Sequence, residues 1–134
     1  MIRQAMLEDA VAIRRLMENE PGFWQDHWSD EALAQALRAA EGLAFVWCEN
    51  EAIEGFVCAH DLGFRAYLSE LVVATRVRRR GIARRLLAHL EAALVARGRT
   101  VLISDVWRDA VAFYQSVGWS PPDVVLLRRR LGPT

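Results

Sequence analysis

Residues 71–90 read LVVATRVRRRGIARRLLAHL. An apolar run closes at Ala74, an arginine-rich turn follows, and Ile82, Leu86, Leu90 and Leu94 then recur every fourth residue. That pattern is a buried strand, a turn and an amphipathic helix in immediate succession. Six arginines and one glycine fall between Arg76 and Arg85. Three uses for so much charge compete: a grip on nucleic-acid phosphates, a solvated helix face, and a cradle for a phosphorylated ligand. Position favours the cradle. Amides at a helix start lack intrahelical partners, and the helix dipole favours an anion there. Glycine lets the backbone approach phosphate closely, and guanidinium groups add charge-assisted hydrogen bonds. A nucleic-acid patch would bind through salt-sensitive phosphate contacts. Against it, Arg84 and Arg85 open a helix whose apolar stripe must face a core, and no nucleic-acid module is visible.

Outward from this stretch, residues 2–6 suggest a short strand, and Glu8 and Asp9 start a helix through about Asn19 that Pro21-Gly22 breaks. FWQDHWSD (23–30) reads as an aromatic, polar loop, and Ser29 as the N-cap of a helix over 30–40. LAFVWCE (43–49) and AIEGFVCAH (52–60) read as a hairpin turning at Glu49 to Glu51. Residues 65–74 form a third long strand. The helix that begins near Gly81 is stopped by Gly98, and TVLISDV (100–106) is an apolar strand. Asp109 to Val117 is a short helix and Asp123 to Leu131 a closing strand. With no repeat and no linker, residues 1–134 are expected to form a single domain of mixed α/β, α+β-like class.

Hydrophobic residues make up 53% of the 134 and charged residues 25%, a balance that can bury a core and excludes a disordered chain. No apolar run approaches the roughly 18 residues of a membrane span. The amino terminus reads as a strand rather than a secretory leader. The expected location is therefore cytoplasmic, with no membrane partner. Cys48 and Cys58 fall on neighbouring strands of the hairpin, but the turn does not set them opposite each other, so both are read as free thiols. No Cys/His cluster has metal-ligand spacing, and no metal is expected.

The net charge of zero conceals an asymmetry. Residues 1–70 hold thirteen acids and five arginines, a net of −8, whereas residues 71–134 hold four acids and twelve arginines, a net of +8. The chain has no lysine, so every basic side chain carries a guanidinium suited to bidentate contact with oxyanions.

The central stretch resembles the core motif of the GCN5-related N-acetyltransferase (GNAT) family: an apolar strand, then R/Q-x-x-G-x-G/A, then a helix. Here the signature is Arg78-Arg79-Arg80-Gly81-Ile82-Ala83. DAVAFYQSVGW (109–119) resembles the family's later A-x-x-F/L-Y-x-x-x-G-F/W element. The resemblance implies a bent mixed sheet of six or seven strands flanked by about four helices, with acetyl-CoA as cofactor. It implies acetyl transfer directly to an amine, either of a small molecule or of a protein or peptide at a terminal amine or a lysine. A non-catalytic acyl-CoA sensor is the alternative from another class. Ala83 stands where many members have a second glycine, Thr75 replaces a common proline, and the segment from Asp105 to Tyr114 lacks an asparagine many members carry.

By the same resemblance, the pyrophosphate would sit on the turn Arg78, Arg79, Arg80, Gly81, Ile82, Ala83 and Arg84. The pantetheine arm would run beside Leu71, Val72 and Val73, with the thioester carbonyl near the amide of Val72 or Val73. Such a donor is worth about 2.7–4 kcal/mol to a developing oxyanion. Tyr114 would contact the cofactor and protonate the departing thiolate, although Phe113 and Tyr114 would also suit a helix core. For the general base, Glu70, Asp105 and ordered water compete. His60 closes a strand and could reach an acceptor. Trp24, His27 and Trp28 could box a cation or simply cover the core. Glu18, Glu20, Asp26, Asp30 and Glu31 surround that loop, and a negative cleft would steer a small cationic amine toward it. The closing strand, with Arg128 to Arg130 in it, could support a homodimer.

Overall fold

The structure, a computed structural model, describes residues 1–132. Its contacts divide the chain into two units, Met1–Ser104 and the remainder from Asp105.

The first unit is a five-stranded sheet in the order β1-β2-β3-β4-β5. β1 (Ile2–Gln4), β2 (Ala44–Glu49), β3 (Ala52–Asp61) and β4 (Ala66–Val73) pair antiparallel, and β5 (Leu102–Ile103) pairs parallel with β4. Asn50 and Glu51 join β2 to β3 with positive φ values of 50° and 66°, the left-handed pair a two-residue hairpin needs to match strand twist. The register pairs Ala44 with Cys58 and Cys48 with Ile53, and both thiols are free.

Alternation along β2 and β3 divides the side chains between two faces. One face carries Ala44, Val46, Phe56 and Cys58 against α1 (Ala10–Asn19) and α2 (Asp30–Ala39), whose Ile13, Leu16, Met17, Leu33 and Leu37 complete one buried cluster. The opposite face receives α3 (Ile82–Ala96), with Ile82, Leu86, Leu87, Leu90 and Leu94 all buried. Each such side chain contributes roughly 1.5–3 kcal/mol on burial. Gly55 permits this close approach: a Cβ there would lie 3.0 Å from Leu86 Cδ1 and 3.3 Å from the Trp47 Cβ. Ser29 caps α2 by accepting from the Ala32 N–H at 3.1 Å. α3 ends in a Schellman arrangement, in which the amides of Gly98 (φ +81°) and Arg99 bond to the carbonyls of Val95 and Leu94.

The second unit contains a 3₁₀ turn (Arg108–Ala110) leading into α4 (Val111–Ser116), within the helix expected over 109–117. Two expectations for the sheet need correction. The strand expected over 100–106 pairs only at Leu102 and Ile103, and residues 123–131 form no strand, so the described residues form five strands rather than six or seven. Strand preference largely reports packing against neighbours. Val124, Val125, Leu126 and Leu127, between 60% and 89% exposed, have little of it.

Candidate active site

The turn before α3 is built to present amides. Arg79 and Gly81 both take left-handed conformations, with φ of 67° and 78°. The first helical hydrogen bond runs from the Arg85 N–H to the Gly81 carbonyl at 3.0 Å, so the amides of Ile82, Ala83 and Arg84 precede it. Apart from its chain neighbours, no atom lies within 4 Å of where a Gly81 Cβ would sit, so that side of the turn is open. An open helix start beneath a left-handed glycine, flanked by Arg79 and Arg84, fits a pyrophosphate group.

The arginines do not all face outward to a ligand, which corrects the simplest reading of the stretch. Alternate members are held by carboxylates from three other elements: Arg76 by Glu54 of β3, Arg78 by Glu20 after α1, and Arg80 by Glu49 of β2. Arg85 lies over the Trp47 ring at 5.6 Å. Arg79 and Arg84 have no acidic partner among the described residues. Arg78 also donates through Nε to the Val73 carbonyl at 3.1 Å. The left-handed Arg79 carries a strain of order 1–3 kcal/mol, and it is sustained because Arg78 and Arg80 on either side are anchored.

Glu20 is the anchor with the most donors. Its side chain is only 8% exposed, and it accepts from the Thr75 N–H at 3.2 Å and the Thr75 hydroxyl at 2.8 Å as well as from Arg78. Glu20→Ala would leave these donors without their acceptor and release the turn. Because Arg78 is itself half exposed, the expected cost is moderate. We expect acetyl-CoA affinity to fall about tenfold, roughly 1.4 kcal/mol, with the sheet still folded; titration calorimetry checks it.

β4 supplies an edge beside this turn. The Ala74 amide bonds to the Glu54 carbonyl at 2.8 Å, directed to β3. By alternation, Leu71 and Val73 direct their N–H and C=O groups to the other edge, while Val72 pairs with Phe56. β5 covers that other edge only opposite Ala66 and Tyr67. Of the two amides considered for a thioester carbonyl, Val73 rather than Val72 therefore belongs to the outer edge. The ladder also shifts at Cys58/Ala59, leaving Ser69 as an extra residue in β4. This bulge breaks the alternation that would otherwise set the face of Glu70.

Glu70 lines a cavity of ≈ 220 Å³ together with Met17 of α1, Trp24 and Trp28 of the following loop, and Leu33 and Ala36 of α2. The Ser69 hydroxyl lies 2.7 Å from Glu70 Oε1 and 3.1 Å from the Cys58 carbonyl. Trp24 and Trp28 meet edge to face at 5.5 Å. His27 is exposed and packs its ring on Trp28 at 6.4 Å. His60 sits with Nε2 3.8 Å from Cys58 Sγ. Burial, reinforced by the nearby Glu70 charge, pushes the Cys58 thiol up to about 12, so it is no nucleophile at neutral pH.

The acids around the loop are more occupied than their number suggests. Arg14 pairs with both Glu18 and Asp30, Arg38 pairs with Glu31, and Glu20 belongs to the turn before α3. Arg14 also lies 4.5 Å over the Trp24 ring. The negative cleft expected from residue counts is thus largely neutralised by the chain's own arginines.

In the second unit, Tyr114 packs against Phe113 and Trp119, with ring centroids 5.3 Å and 5.1 Å away. Burial raises its phenol to about 12. Asp105 is exposed at the start of that unit. Among the described residues no group of three or more His, Cys, Asp or Glu could hold a metal, and no helix is long and apolar enough to cross a membrane.

An open β4 edge beside an anion-ready helix start is an arrangement that could hold a phosphorylated, extended ligand. The Acetyltransferase (GNAT) family matches residues 10–119, and the chain belongs to that family, whose cofactor is acetyl-CoA. No curated protein matches the sequence. Among solved structures, the chain is similar to PaiA N-acetyltransferase of Thermoplasma acidophilum in complex with coenzyme A. Identity is 17%, the TM-score 0.82, and the match covers 93% of this chain and 92% of that one. It is similar to the ribosomal-protein-S18-alanine N-acetyltransferase of Escherichia coli at 26% identity and TM-score 0.77, over 88% and 76% of the two chains. Glucosamine-6-phosphate N-acetyltransferase of Arabidopsis thaliana aligns at 17% identity and TM-score 0.75, over 96% and 97%.

Proposed function

We propose that this protein is a cytoplasmic, single-domain N-acetyltransferase that takes acetyl from acetyl-CoA directly to a primary amine of a small molecule. The observation that carries this reading is that Glu70 lines an apolar cavity on the same strand whose Leu71 and Val73 face the outer edge. Acetyl-CoA, when bound, supplies the activated acetyl group. The amides of Ile82, Ala83 and Arg84, with Arg79 and Arg84, hold its pyrophosphate, and Arg78 and Arg80 shape the turn. Leu71 and Val73 hold the pantetheine arm as an added strand would be held, and the Val73 amide polarises the thioester carbonyl.

The amine arrives protonated, since its ordinary pKa is near 10. Glu70, directly or through water, takes that proton; Asp105 is the rival base. As the carbon–nitrogen bond formed and the carbon–sulfur bond broke, Tyr114 would donate its phenolic proton to the departing sulfur, and the second proton shed by nitrogen on becoming an amide would restore the phenol through water. With its pKa raised by burial, Tyr114 keeps that proton at neutral pH. No covalent enzyme intermediate is needed, consistent with a buried, protonated Cys58.

Glu70→Gln is expected to lower kcat roughly tenfold at neutral pH, less than the ~10²-fold of a sole base because water shares the role. The deficit shrinks as pH rises and the amine loses its proton unaided. A pH–rate profile of both proteins checks it, and a deficit independent of pH would remove Glu70 as base.

A peptide amino terminus is the second reading, favoured by the 26% identity to the S18-alanine enzyme. The homodimer is not proposed, since residues 123–131 form no strand. Amine-dependent thiol release from acetyl-CoA tests the function. Acetyl-CoA binding with no amine or peptide stimulating release would instead indicate a sensor.

A further inference from the structure

Resting on the reading of the chain as an amine acetyltransferase, we propose that its acceptor is a primary amine on a small apolar body, aromatic or branched aliphatic, bearing a single positive charge. The cavity beside Glu70 is ≈ 220 Å³, below the ~300–1,000 Å³ that accommodates drug-sized ligands. Met17, Trp24, Trp28, Ala32, Leu33 and Ala36 present it with hydrocarbon and ring surface, and its polar groups are the Glu70 carboxylate and Ser29, whose hydroxyl already caps α2. Apolar surface rewards an apolar occupant. A second ammonium or a set of sugar hydroxyls placed there would lose water and find only Ser29 and Glu70 as partners.

Two observations argue against the polycation that the acid count suggests. The carboxylates of Glu18 and Asp30 are taken by Arg14, Glu31 by Arg38, and Glu20 by Arg78. The Trp24 ring that could have formed a cation box already carries the Arg14 guanidinium, 4.5 Å from its centroid. Of the five acids around the loop only Asp26, which is exposed, has no arginine partner among the described residues, so a second positive charge on the acceptor would meet arginines more often than free acids. The recognised features are one ammonium at Glu70 and an apolar group between the two tryptophans and α2.

The test compares 2-phenylethylamine and isopentylamine with spermidine, glucosamine and an alanine-terminated peptide, at saturating acetyl-CoA. The apolar amines are expected to have the higher kcat/KM by at least about tenfold, within the roughly 10–200-fold that an apolar pocket discriminates. Ala36→Phe, or Ala32→Leu should the first misfold, fills the cavity from α2. Either is expected to lower kcat/KM for 2-phenylethylamine about tenfold or more, with acetyl-CoA affinity by calorimetry unchanged. Equal or better use of spermidine, glucosamine or the peptide overturns the proposal. So does no turnover of either apolar amine, or a filled cavity that leaves turnover intact. Failure to bind acetyl-CoA at all is a different result, and sinks the acetyltransferase reading itself together with this one.

Discussion

Gly81→Glu is expected to abolish acetyl-CoA binding while leaving the sheet and its helices folded. The glycine sits at φ +78° where a side chain is strained by about 1–2 kcal/mol. No neighbouring atom lies within 4 Å of the new Cβ, so the core is undisturbed. The damage is electrostatic and local. A carboxylate at the N-cap of α3 repels phosphate, and it can itself accept from the amides that should hold the pyrophosphate. Gly81→Ala separates the two effects, because it adds the strain without the charge and is expected to weaken binding about tenfold at most. Calorimetry on variants with native circular dichroism checks both. A Gly81→Glu protein that binds acetyl-CoA as tightly as the parent removes the turn before α3 as the phosphate site.

Tyr114→Phe is expected to lower turnover roughly 10²-fold, the low end for a general acid, with acetyl-CoA affinity nearly intact. The substitution deletes one hydroxyl and keeps the ring that packs on Phe113 and Trp119. Burial holds the phenol near 12, above its ordinary 10. The acid form is thus fully present below the ordinary value and is lost only as pH rises through the raised one. Across about pH 6–9 the parent should show no alkaline decline from this group, and the variant should be slower throughout. A variant as fast as the parent over that range takes Tyr114 out of the mechanism.

Local features of the chain were legible because they depend on neighbours in sequence. Ile82, Leu86, Leu90 and Leu94 recur as one stripe, and all four are buried. Ser29 caps α2, and Gly98 takes the left-handed conformation that ends α3. What escaped reading depends on partners brought together by the sheet. Arg76, Arg78 and Arg80 meet Glu54, Glu20 and Glu49, which stand 22, 58 and 31 positions away. No periodicity marks such pairs; only the register of β2 and β3 and the end of α1 place them.

The same limit explains the acids near Trp24, of which Glu18, Asp30 and Glu31 are held by Arg14 and Arg38, residues whose pairing no count of charges reveals. It also explains Ser69, whose extra place in β4 leaves no mark on the alternation of residues. The VVLL segment erred in the other direction. Its composition favours a strand, but a strand forms only where an edge receives it.

The central claim is that acetyl moves from acetyl-CoA straight to an amine nitrogen, with the protein's own groups carrying only protons. Mass spectrometry of a single incubation with acetyl-CoA and 2-phenylethylamine tests it most directly, reading the amine product and the intact protein together. The account predicts N-acetylated amine, free coenzyme A in equal amount and an unmodified chain. Acetyl retained on the protein during turnover, or thioester consumed with no acetylated amine, would contradict it.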